Sequence, residues 1–172
     1  MAYRNCILAA ALAASAVPAA GAPVGADPNA SGRVLILVPL ALTKLDDLDF
    51  GTVVPSASSG TVMINAKTGA RSFTGGAAGI LSEAGNRAFF GTSGAGGQQV
   101  IVVVDSPAEL VSVSNPSDKI PVLTLTLDGS PIRLIDPVTR TFFFGVGGII
   151  AVNANQPEGV YEATFDVTAT YL

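Results

Sequence analysis

The sequence predicts an all-β fold, a sandwich or barrel of antiparallel strands, and three observations predict it. From Gly159 to Leu172 the chain alternates: Tyr161, Ala163, Phe165, Val167, Ala169 and Tyr171 share one parity, and Glu162, Thr164, Asp166, Thr168 and Thr170 share the other. Side chains of a strand point alternately to its two faces, so this run is a half-buried antiparallel strand. Short apolar runs separated by turn clusters recur along the chain at roughly ten-residue spacing, the pattern of a sandwich or barrel. No window carries sustained helical periodicity; Leu45–Leu48 and Ser82–Gly85 are long enough for a single turn each.

In chain order, the first segment is a leader. Met1–Asn5 is polar and carries Arg4, Cys6–Val17 is apolar and alanine-rich, and Pro18 followed by Ala19, Ala20, Gly21 and Ala22 ends it. This reads as a signal peptide over residues 1–22, cut between 20 and 26, because the run is shorter than the ~20 residues that span a bilayer. Residues 23–32 read as a flexible leader, and 33–172 as a single sandwich domain.

Arg33–Thr43 (RVLILVPLALT) is apolar on both faces. Such a strand is covered from both sides or pairs with another chain, and Pro39, which has no N–H, marks an edge or bulge. Further strands are expected at Phe50–Val54, Gly60–Ala66, Ala70–Thr74, Arg87–Thr92, Gln98–Asp105, Glu109–Val113, Pro121–Leu127, Ile132–Ile135, Arg140–Val146, Ile149–Asn153 and Val160–Tyr171. Turn clusters lie between them at Pro55–Gly60, Gly75-Gly76, Gly94–Gly97, Asn115–Asp118, Asp128–Pro131 and Asn153–Gly159.

Composition excludes several chemistries. The chain has no histidine or tryptophan, and its one cysteine, Cys6, departs with the leader. Serine triads, cysteine proteases and ordinary zinc sites therefore have no residues to build on. The mature protein has no disulfide, so stability falls to the core of a chain of about 150 residues, which buries roughly 70% of its unfolded surface. The formal net charge is −4, and loss of Arg4 makes it more negative; nucleic acid and anionic lipid want the opposite sign.

Four residue groups invite a chemical reading. Asp46, Asp47 and Asp49 form an acidic cluster, but the glycine and distal glutamate of a calcium loop are missing, so a solvated turn is expected and no metal. Gly145–Gly148 and Gly91–Gly97 are glycine-rich without the helix and lysine of a phosphate loop, so turns or close backbone approach are expected and no cofactor. In Phe142-Phe143-Phe144 the outer two face one way, into the core, and Phe143 the other, at an edge or in a contact patch. Glu83, Glu109, Glu158 and Glu162 are the glutamates from which a glycosidase pair would be drawn, but they are scattered. Once Tyr3 departs with the leader, Tyr161 and Tyr171 are the tyrosines left for sugar stacking. No catalytic residue is assigned.

The order of several short motifs is itself informative. Val38-Pro39-Leu40, Leu48-Asp49-Phe50-Gly51, Gly60-Thr61-Val62, Arg87-Ala88-Phe89, Phe144–Gly148, Asn155–Tyr161 and the terminal Val167–Tyr171 follow one another. Over roughly Arg33 to Leu172 this series resembles a family of small secreted bacterial proteins called domain of unknown function 4402. That family is similar to subunits of chaperone–usher fimbriae, through Asp49-Phe50-Gly51, Gly159-Val160-Tyr161 and the penultimate Tyr171. The resemblance implies an immunoglobulin-like antiparallel β-sandwich lacking one strand. Its groove would be filled by a periplasmic chaperone, delivered to an outer-membrane usher, and then by the N-terminal strand of the next subunit. The resemblance thus implies a structural subunit that exchanges strands with copies of itself or related subunits, in the periplasm in transit and then at the cell surface. The alternative is a self-complete secreted binding module for glycan or matrix, and a third reading is a hydrolase using Glu158 and Glu162. Whether Arg33–Thr43 pairs within its own chain or with a neighbour stays open.

Overall fold

The structure, a computed structural model, describes residues 31–172. The expected signal peptide lies outside the described residues, as does the expected leader except for Ser31 and Gly32. Ile36–Leu172 forms one compact unit. Ser31–Leu35 lies outside that unit; those five residues are exposed and in no strand.

Thirteen strands follow one another among the described residues: β1 (Ala41–Asp46), β2 (Val53–Val54), β3 (Gly60–Ile64), β4 (Arg71–Gly75), β5 (Ala78–Gly79), β6 (Ala88–Ser93), β7 (Gln99–Asp105), β8 (Glu109–Ser112), β9 (Lys119–Leu127), β10 (Ile132–Leu134), β11 (Thr141–Val152), β12 (Tyr161–Glu162) and β13 (Asp166–Tyr171). All pairings are antiparallel. The fold is the antiparallel β-sandwich that the alternating strands predict. One layer is a large sheet, β1-β6-β11-β9-β8-β12, with β3 and β4 branching from β11. The opposing layer is made of two smaller pieces, β10-β7-β13 and β2-β5.

β11 is the spine of the large sheet. Its first half pairs with β6 and its second half with β3, while β9 runs along the other side. The sequence reading breaks this strand at Gly147-Gly148; the structure does not. The glycines have a different cause. The turn after β3 lies directly over them, and a Cβ at Gly145 or Gly147 would strike the backbone of Ala66 or Ile64. The ladder to β9 continues through both positions, because a glycine can extend as well as any residue. Close backbone approach, the expectation for this glycine run, is thus its role here.

The inward faces form two apolar clusters. One gathers Ala88, Phe90, Val102, Phe144 and Val146, with Phe142, Phe165 and Val167 against it. It is roofed by β7 and β13. The other gathers Val62, Ala77, Ile120, Ile150 and Val152, with Phe50, Val53, Leu110, Val122 and Tyr161. Among the described residues, β2, β5 and loops lie over this half.

Two expected strands need correction. Of Arg33–Thr43, only the end is a strand: β1 begins at Ala41 and pairs with β6, Ala41 opposite Ser93 and Leu42 opposite Thr92. Residues 33–40 make no ladder, and Val34 and Ile36 are more than four-fifths exposed. Pro39 cannot donate, which ends the pairing there. The closing run is likewise two strands, not one. Tyr161 and Glu162 pair with β8 in the large sheet, Ala163–Phe165 leaves the ladder, and Asp166–Tyr171 pairs with β7 in the opposing sheet. Alternation survives the crossing because both sheets bury the same core: Tyr161, Phe165, Val167, Ala169 and Tyr171 are half-buried, and Ala163 alone of that parity is exposed.

Tyr171 does more than pack. Its hydroxyl donates to the Val38 carbonyl at 2.8 Å and accepts the Ala95 N–H at 2.6 Å. Tyr171→Phe removes both bonds and leaves the Ala95 amide without that partner. The expected loss is about 1–2 kcal/mol in urea unfolding, and a change below a few tenths would show the hydroxyl to be replaceable by water.

Candidate functional site, an open groove over the core

Among the described residues, the half of the sandwich beneath β2 and β5 is open as a groove of about 1180 Å³. Leu110 of β8, Ile120, Val122 and Leu125 of β9, and Ile150 and Val152 of β11 line it. Most of these belong to the second apolar cluster, so the groove floor is the hydrophobic core itself. One wall is the chain from Asp47 to Val53 with Pro55; the other runs from Gln156 to Phe165. β12 is the edge strand of the large sheet, and Ala163–Phe165 beside it belongs to no ladder.

The first wall is fixed by two residues that the sequence does not single out, Arg71 and Asn86, together with Asp49 and Gly51, which it does. The Arg71 guanidinium donates to the Phe50 and Thr52 carbonyls at 3.0 and 3.1 Å and to the Ile80 carbonyl at 2.6 Å, while lying 4.9 Å from the Phe73 ring. A planar fork with five donors suits such a bridge between separate backbone stretches. Asn86 donates from Nδ2 to the Asp47 carbonyl at 2.8 Å, and its backbone bridges Asp49. Asp49 accepts the Gly51 N–H at 2.7 Å. Gly51 sits at φ 67°, where the Cβ of any other residue would be strained.

The second wall is built on the Asn153–Gly159 turn. Asn155 takes φ 52°, a conformation asparagine tolerates. Gln156 follows and is buried. Its Nε2 donates to the Lys119 carbonyl at 3.2 Å and to the Tyr161 hydroxyl at 3.0 Å, and that hydroxyl donates in turn to the Pro157 carbonyl at 2.8 Å. Tyr161 therefore ties the turn to the edge strand.

The candidate residues fall as follows. Asp47 and Asp49 line the groove with Glu83, Glu158 and Glu162; Asp46 ends β1 and does not. Among the described residues no three or more His, Cys, Asp or Glu side chains converge on a point that would hold a metal ion. Asp47 pairs with Lys44 at 2.5 Å, Glu83 accepts from the Thr52 hydroxyl, and Glu109 lies away from the groove in an ion pair with Lys119. Asp136, also outside the groove, accepts the N–H groups of Thr139 and Val138, which hold its carboxyl below the ordinary value. Phe144 is fully buried and Phe142 half-buried, as the strand parity requires, while Phe143 is 55% exposed and stacks on Phe89 with ring centroids 5.9 Å apart. Gly91 gives that outer ring room, since a Cβ there would lie 3.1 Å from it.

Fold and groove together define a class: an antiparallel β-sandwich with, among the described residues, an open groove over part of its core. The chain belongs to the family described as Domain of unknown function (DUF4402), whose model matches residues 40–171. No curated protein and no solved structure matches it.

Proposed function

We propose that this chain is a non-catalytic structural subunit of a bacterial cell-surface, fimbria-like filament, assembled by β-strand exchange. One observation carries the reading: a groove floored by core residues lies beside an edge strand, while the chain carries an apolar segment, residues 33–40, that joins no strand ladder among the described residues. A strand laid in the groove gains main-chain hydrogen bonds along the edge and buries alternate side chains on the floor. On this reading the leader directs export, a periplasmic chaperone shields the groove in transit with an outer-membrane usher as the exit, and neighbouring copies fill it at the surface.

Purified full chain is expected to form a concentration-dependent ladder of multimers in size exclusion. Excess synthetic peptide Arg33–Leu40 is expected to cap the ladder at single subunits carrying one peptide each. A chain that stays monomeric and takes up no peptide sinks the proposal and favours a self-complete binding module.

A further inference from the structure

The donor segment changes character part-way. Val34, Leu35 and Ile36 are largely exposed, whereas Leu37 and Leu40 are half-buried. The change falls where a phenol reaches the main chain. The Val38 carbonyl accepts the Tyr171 hydroxyl, and that hydroxyl in turn accepts the Ala95 N–H. An oxygen that donates and accepts at once is held in direction as well as in place, and each bond polarises the other. Tyr171 ends the ladder of β13 to β7, opposite fully buried Val100, so the phenol stands on a paired strand. Leu40 and Tyr171 also crowd Gly94, where a Cβ would strike both.

The backbone at this point is stiff by its own chemistry. The ring of Pro39 fixes its φ near about −65°. A residue before proline is kept to extended conformations, and Val38 is β-branched besides. Residues 33–37, by contrast, join no ladder among the described residues. If that stretch is seated in another copy, a single peptide unit separates Leu37 in the neighbour from Val38 on its own body. Consecutive Cα atoms are about 3.8 Å apart, so the link has no slack.

Resting on the strand-exchange reading above, we propose that Val38-Pro39 and Tyr171 form a stiff joint between successive subunits. The strand handed to the next copy ends at Leu37, and from Val38 onward the chain is held by its own body. The filament then bends by opening the phenol clamp or by deforming the subunits. Val38, Pro39 and Tyr171 do not line the groove. Tyr171 is thus a positioning residue: the groove captures the strand, and the joint sets the angle at which the next subunit is carried.

The test compares the full chain with its Tyr171→Phe and Pro39→Gly variants. In subunits kept single by excess peptide Arg33–Leu40, the heteronuclear NOE of the Val38 amide reports the clamp. It is expected to match the β1 amides in wild type and to fall toward that of Val34 in Tyr171→Phe. The persistence length of the multimers, read from negative-stain electron micrographs, reports the joint. It is expected to shorten about twofold or more in both variants, since two hydrogen bonds favour the closed clamp by about tenfold. Affinity for added peptide is expected to stay within about twofold of wild type, because the groove lies elsewhere. A Val38 amide that stays ordered in Tyr171→Phe, or variant multimers as stiff as wild type, overturns the joint while strand exchange stands. So does a loss of stiffness matched by a loss of peptide affinity, the mark of a domain merely destabilised. A wild type that forms no multimers and takes up no peptide overturns both.

Discussion

Gly147→Ala is expected to destabilise the domain by about 3 kcal/mol or more, an effect out of proportion to one methyl group. The added carbon would overlap the Ile64 carbonyl oxygen and stand 2.5 Å from the Ala66 nitrogen. Both are backbone atoms, so no rotamer change relieves the clash. The turn carrying them is itself held: Asn65 accepts the Lys67 and Thr68 N–H groups at 2.9 and 3.0 Å, and Arg87 reaches the Ala66 carbonyl at 3.1 Å. Relief must come from prising β3 and its turn off β11, exactly where β11 changes neighbour from β6 to β3. Urea unfolding measures the effect, with Gly91→Ala as the control, since its new methyl would meet side-chain atoms of Phe143 and Leu45 and no backbone. If both variants lose less than about 0.5 kcal/mol, the close approach is not what the glycine serves.

Phe144→Ala is expected to cost about 3–5 kcal/mol, the range for emptying a large buried aromatic. Phe144 has no exposure and stacks between Phe90 at 5.2 Å and Phe142 at 5.9 Å. Truncation forfeits the ring's burial and two aromatic contacts and leaves a hole in the roofed half of the core. Its neighbour Phe143 gives the comparison within one tripeptide, since more than half of it is already in water; Phe143→Ala is expected to cost about 1 kcal/mol or less. Equal losses for the two would show that the parity assigned to β11 is reversed.

That parity was readable because a strand has a period of two, and the inside-outside order of Phe142, Phe143 and Phe144 follows from it. The same rule explains where reading stopped. Tyr161–Tyr171 alternates perfectly well, yet alternation records only which side faces the core. In a sandwich both sheets face one core, so a chain that crosses from β12 to β13 keeps its rhythm and hides the crossing. The glycines at Gly147-Gly148 misled in the opposite sense: they look like a break, but what they answer is a turn packed from elsewhere in the sequence. Residues 33–40 are as apolar as a core strand and yet join no ladder in the described chain, and composition cannot distinguish a strand's own sheet from a neighbour's. In the groove, Tyr161 and the acidic residues were visible as residue types. Arg71 and Gln156 were not, because each acts through main-chain carbonyls brought near by folding, and such partners leave no mark on local sequence.

The bond between Tyr171 and Val38 sets the two ends of the compact unit side by side. Some 130 residues of chain therefore form nearly a closed ring, fastened by one phenol. Joining its ends with a short linker would cost little chain entropy, because the fold has already brought them together. The point at which the ring is cut is then a matter of choice, and new ends opened at an exposed turn such as Asp128–Pro131 would leave every strand intact while removing the free apolar segment from its present place. A permuted ring of this kind separates two duties that the natural order combines in one stretch of chain: closing the domain, and reaching beyond it.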